Sequence, residues 1–83
     1  MMTLVELTEK IIKNIVKDED AVSVKEFPSE NDKEIIIEVL VSDSDIGRVI
    51  GKNGRTANAI RTLVQASSSL KDNKYVKINI DKF

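Results

Sequence analysis

Gly51, Lys52, Asn53 and Gly54 form a Gly-x-x-Gly stretch led in by Val49 and Ile50 and followed by Arg55. Glycine lacks a Cβ, so such a turn lets backbone approach a phosphate closely. A helix starting after it aims free N–H groups at the same place. Lys52 and Arg55 add cationic charge. The chemistry these residue types offer at this spacing is a grip on the phosphodiester backbone of a nucleic acid. Asn53-Gly54 taken by itself is also an ordinary tight-turn dipeptide. The apolar pair before it and the basic residue after it favour the grip.

Other chemistries fit poorly. Gly47 to Lys52 superficially suggests a P-loop, but it is one residue short between glycines. Asn53 also stands where Ser or Thr must hold magnesium. Asp43 and Asp45 resemble a catalytic carboxylate pair, yet within Ser42-Asp43-Ser44-Asp45 they are better explained as helix N-caps. The 83 residues contain no cysteine and no histidine, which removes disulfides, thiolate metal sites and the commonest acid–base catalyst. No EF-hand spacing occurs among the carboxylates. No nucleophile–base pair is visible, so the expectation is a non-catalytic protein with no cofactor or metal.

The net charge of −1 conceals a strong separation. Residues 1–45 hold five Lys/Arg and twelve Asp/Glu, whereas residues 46–71 hold five Lys/Arg and no acid. The basic group comprises Arg48, Lys52, Arg55, Arg61 and Lys71 and is centred on the two glycines. That places a localised anion-binding face on an acidic body. Arg61 and Lys71 read as solvated charges rather than ligand contacts. No apolar run approaches the roughly 20 residues needed to span a bilayer, and Glu6, Glu9 and Lys10 make the start unlike a secretory signal. A cytoplasmic location is the expectation.

The elements that must position the turn are legible from periodicity. Thr3 and Glu6 form a capping box for a helix. Its apolar stripe is Leu4, Leu7, Ile11, Ile12 and Ile15, and it ends near Lys17, ahead of Asp18-Glu19-Asp20. A short strand follows over 22–27, stopped by Pro28. The strongest strand signal covers 34–41, with Ile35, Ile37, Val39 and Val41 on one face and Glu34, Ile36, Glu38 and Leu40 on the other. That run suits the middle of a sheet. Ile36 and Leu40 on the outer face would suit a dimer contact, although isolated exposed apolar residues are ordinary. Ile46, Val49 and Ile50 lie on a short helix ending at Gly51. A second helix runs from about Arg55 to Ser68, with Ile60, Leu63, Val64 and Ser67 along one side and Ala57 and Ala59 permitting close packing. Ser67 to Ser69 mark its exit, and a last alternating strand covers 75–80. The order α-β-β-α-α-β predicts an α+β domain over 1–83. Its three-stranded mixed sheet has all three helices on one face, the third strand lying parallel to the second.

Ile-Gly-Lys-Asn-Gly-Arg between two short helices, with Ile60 following, resembles the core motif of the K-homology (KH) domain. The element order is similar to the type II variant of bacteria, and a chain of one such domain resembles the small bacterial KhpA-type RNA-binding family. The resemblance covers nearly all of the chain. It implies that Gly51, Lys52, Asn53 and Gly54 clamp about four nucleotides of single-stranded RNA. Lys52 would supply charge, Asn53 a hydrogen bond, and the helix N-terminus at Arg55 further backbone donors. Ile46, Val49 and Ile50 would floor the base groove with part of the central strand, residues 28–33 would form its opposite wall, and Arg48 would neutralise a phosphate. Phe27, Tyr75 and Phe83 are all distant from the loop in sequence, so no stacking platform is expected and base selectivity should be weak. The resemblance further implies a homodimer or a heterodimer with a larger KH-containing bacterial protein. The implied role is a post-transcriptional regulator or RNA chaperone linked to cell elongation and shape. The alternative is a protein-interaction adaptor with little RNA binding of its own.

Overall fold

The computed structural model describes residues 2–83. Helix α1 (Leu4–Lys13) opens with the expected capping box. The Glu6 amide donates to Thr3 Oγ1 at 3.1 Å, and the Thr3 amide donates to Glu6 Oε1 at 3.1 Å. Leu4, Thr8 and Ile12 are its buried positions. The helix ends four residues before Lys17, where the Asn14 side chain also donates to the Lys10 carbonyl and the Ile15 amide tightens onto the Ile12 carbonyl. An Asn side chain competes with the helical ladder in this way. The following chain still buries Val16, then runs to strand β1 (Val22–Pro28).

Strand β2 (Glu34–Val41) is the centre of the sheet, antiparallel to β1 and parallel to β3 (Tyr75–Lys82). Val24 pairs with Val39, and Ile37 pairs with Ile78. The predicted inner face of β2 is the core: Ile35, Ile37, Val39 and Val41 are all buried. Pro28 ends β1 on the sheet edge, where its missing N–H costs no ladder bond.

Between β2 and β3 come helix α2 (Ile46–Ile50), one 3-10 turn (Lys52–Gly54) and helix α3 (Arg55–Lys71). The three helices share one core with the sheet, through Leu4, Ile12, Val49, Ile60 and Val64. Helix α3 departs from expectation twice. It runs through the serines to Lys71 rather than stopping near Ser68. Ser68 is buried and donates its hydroxyl to the Lys74 carbonyl at 2.8 Å, so it belongs to the packing rather than to an exit. Asn73 at φ 53 makes the actual exit. The buried side consists of Ala57, Ile60, Val64 and Ser68, while Leu63 faces solvent.

Candidate nucleic-acid interface

The turn is built from three backbone requirements, at Gly51, Asn53 and Gly54. Gly51 closes α2 at φ 75 and ψ 172, its amide donating to the Gly47 carbonyl at 2.9 Å. Asn53 at φ 56 and Gly54 at φ 76 are both left-handed, a region that glycine enters freely and Asn more readily than most residues. The Gly54 amide returns to the Gly51 carbonyl at 3.2 Å. Arg55 then starts regular helix.

The two glycines serve different ends. A Cβ on Gly51 would lie 2.3 Å from Thr56 Oγ1 and 2.9 Å from the Thr56 backbone nitrogen, so α3 leaves no room for one. A Cβ on Gly54 would meet only Asn58 Nδ2, at 4.0 Å. At Gly54 the requirement is conformational alone. Thr56, absent from the sequence-based site, is therefore the residue that fixes Gly51. Its place two positions after the second glycine gave no signal without coordinates.

Exposure separates the expected site residues into two groups. Lys52, Asn53 and Arg55 are exposed, and Gly51 and Gly54 are half-buried. Neither Lys52 nor Arg55 has an ion-pair partner among the described residues. Ile46 and Ile50 are half-buried, but Val49 is 0% exposed and belongs to the core. The expected groove floor thus loses Val49, and with it the central strand, whose inner face is sealed. Helix α2 packs against strand β3, an edge of the sheet. The donors at the α3 start are also fewer than expected, since the Arg55 amide is bonded to the Lys52 carbonyl. Gly54 provides no side-chain cap to the helix.

Arg48 is exposed yet held, with Nε 3.8 Å from Asp45 Oδ1. Asp45 stands at the N-cap position of α2 without capping it. Its carboxylate is instead turned inward, 1% exposed, accepting from the Lys17 and Asp18 amides at 3.1 Å each and from Ser42 Oγ at 3.0 Å. The Lys17 amide foremost, then the Asp18 amide, Ser42 and Arg48, hold this carboxyl below the usual aspartate range against the opposing effect of burial. Asp45 thereby fastens the segment after α1 to the start of α2. Asp43 is spent on an exposed ion pair with Lys82 at 3.0 Å.

Arg61 is tied to the Ile78 carbonyl and Asn58, and Lys71 to the Met2 carbonyl, as befits charges outside the turn. Residues 28–33 lie away from the turn. They join the β1 end to the β2 start beside Lys74, at the C-terminal end of α3, whereas the turn lies at its N-terminal end. Seventeen helical residues separate the two ends by about 25 Å. Phe83 is at the other end from that loop, its amide bonded to the Val41 carbonyl and its ring 65% exposed.

A helical pair joined by a Gly-x-x-Gly turn on a three-stranded mixed sheet defines the KH class of fold. A family model described as "KhpA/KhpB, KH domain" matches residues 5–80. The chain is 43% identical to RNA-binding protein KhpA of Borreliella burgdorferi, covering 92% of this chain and 89% of that one. It is 48% identical to the protein of the same name from Caldanaerobacter subterraneus subsp. tengcongensis, over 90% and 96% respectively. Among solved structures, Aquifex aeolicus Era bound to GDP and aluminium fluoride superposes with a TM-score of 0.68 at 16% identity. The match covers 96% of this chain and 30% of that one. Era in complex with a nucleotide analogue and a segment of 16S ribosomal RNA gives 0.64 at 18% identity, covering 95% and 29%. At such identity these two speak for the fold alone. The chain belongs to the KhpA/KhpB family of KH domains. The relatives are named as RNA-binding proteins and not as enzymes. Among the described residues no helix is long and apolar enough to cross a membrane.

Proposed function

We propose that this chain is a non-catalytic RNA-binding module, one KH domain over 1–83, that grips about four unpaired nucleotides through Gly51, Lys52, Asn53 and Gly54. The observation that carries this reading is the exposed left-handed turn with two unpaired cations, Lys52 and Arg55, beside a helix start that lacks a side-chain cap. The names of the relatives support it. Ile46 and Ile50 contact bases from the α2 side, and Arg48 contributes less because Asp45 restrains it. With two free cations and a short footprint, a single domain binds weakly and in a salt-dependent manner. Action as a post-transcriptional regulator or RNA chaperone then calls for avidity, from a homodimer or from a larger KH-containing partner.

The adaptor reading is favoured by one observation, the large apolar side chains left uncovered on α3. The two readings separate on Lys52→Asp/Asn53→Asp. Titrating a short single-stranded RNA should show binding at least about tenfold weaker in the variant, from two like-charge encounters in place of one attraction. Circular dichroism should be unchanged, because both residues are exposed. A folded variant that binds RNA like the wild type removes the clamp and leaves the adaptor.

A further inference from the structure

The turn carries a reactivity that gripping a strand does not call for. Of the six asparagines, only Asn53 is followed by glycine. Asn14, Asn31, Asn58, Asn73 and Asn79 all precede residues with a Cβ, which crowds the next backbone nitrogen. Gly54 has no Cβ. Its nitrogen can therefore reach the amide carbon of the Asn53 side chain and close a five-membered ring.

Several features of the structure ease that approach. Asn53 is exposed, and a side chain begun at Gly54 would meet nothing nearer than Asn58 Nδ2 at 4.0 Å. The Gly54 amide is held by the Gly51 carbonyl at 3.2 Å, the long limit for such a bond. Lys52 and Arg55 flank the pair, and residues 46–71 contain no acid. Negative charge developing on the nitrogen as it loses its proton meets only cations nearby. The closed turn works the other way. At φ 56 and ψ 26 the Asn53 backbone must rotate before the ring can form, so the reaction runs from a local opening of the turn.

We propose that Asn53 is a site of spontaneous covalent modification that disables the clamp, and that a bound strand protects it. The Gly54 nitrogen, its proton taken by solvent base, forms a bond to Asn53 Cγ. The bond from Cγ to the side-chain nitrogen breaks, and ammonia leaves. Water then adds to one of the two ring carbonyls. Opening on one side leaves aspartate, and opening on the other leaves isoaspartate, whose main chain runs on through Cγ. Nothing is oxidised or reduced. Either product sets a carboxylate between Lys52 and Arg55, where the charge of a phosphate would be met. Isoaspartate also lengthens the main chain inside a turn that depends on the backbone angles of Asn53 and Gly54. Loss of grip and protection rest on the proposed function, whereas the chemistry at Asn53 does not.

Ageing the protein in mildly alkaline buffer, then digesting it for mass spectrometry, tests the chemistry without RNA. Asn53 should be converted many-fold faster than the other five asparagines, at a rate that rises with hydroxide. An isoaspartyl methyltransferase used as a reagent should label the aged peptide that holds position 53. Samples drawn over the same interval should bind a short single-stranded RNA several-fold more weakly, in step with conversion. An excess of that RNA present throughout should slow the conversion. Asn53→Gln, which would need a six-membered ring, should keep its own starting affinity on ageing. Conversion at Asn53 no faster than elsewhere overturns the proposal. So does full conversion with undiminished RNA binding, or conversion at an unchanged rate under saturating RNA. Conversion of Asn53 in a fresh protein that never binds RNA would instead sink the clamp and bear out the chemistry alone.

Discussion

On β2, Ile37, Val39 and Val41 are fully sealed, whereas Lys52 and Asn53, eleven residues or more further on, stand exposed to solvent. The first region is held by burial and the second by backbone conformation. What a substitution does should differ accordingly. A change in the strand alters whether the molecule folds, and a change in the turn alters what the folded molecule can hold.

The largest expected effect is in the strand. Ile37→Ala leaves a cavity in a fully buried site and should cost about 2–5 kcal/mol, a large share of the stability of so small a domain. Chemical denaturation measures it, and RNA affinity per folded molecule should be unchanged. Gly51→Ala sits between the two regions. The added Cβ collides with Thr56 at an unfavourable φ, so both stability and RNA binding should fall, stability by about 1–3 kcal/mol. Gly54→Ala meets open space, and strain alone should cost roughly 1 kcal/mol. Equal losses from the two alanines would erase the distinction drawn between the glycines.

Acid should act through the fastening of α2. The folded Asp45 carboxyl lies below its unfolded value, so its contribution is complete above about pH 4 and is lost as the pH falls through the folded value. Glu6, held down chiefly by the Thr3 amide, has the same sign. Asp45→Asn should flatten the fall of the melting temperature on acidification. A wild-type slope in that variant would show that the buried carboxylate is not the group responsible. The smallest contrast is between Arg55→Ala and Arg48→Ala. The first should weaken RNA binding several-fold and reduce the salt slope by about 0.7, and the second should do less on both counts because Arg48 is already paired.

Legibility from sequence followed the range of the interaction. The period-2 run of β2, the Thr3–Glu6 box and the Gly-x-x-Gly spacing are local signals, and each maps onto the structure where it was expected. Asp45 looked like a cap because its neighbours are Ser42 and Ser44, whereas the two backbone amides it holds lie 27 and 28 residues away. Ser67 to Ser69 looked like an exit because serine is common in loops, yet the Lys74 carbonyl gives Ser68 a partner inside the packing. Leu63 had a helical spacing compatible with the core, and only the placement of α3 on the sheet decides that it faces outward. Val49 was expected in the groove for the same reason, since one sequence period serves core and groove edge alike.

The central claim is that two cations and a bare turn hold a phosphate chain, and salt tests it most directly. Plotting log affinity against log salt for a single-stranded RNA should give a wild-type slope of about −1.4, two phosphates at roughly 0.7 each. Lys52→Asp/Asn53→Asp should bind too weakly to define a slope, with its fold intact. A wild-type affinity that ignores salt, or a folded variant reproducing the wild-type line, would contradict the account.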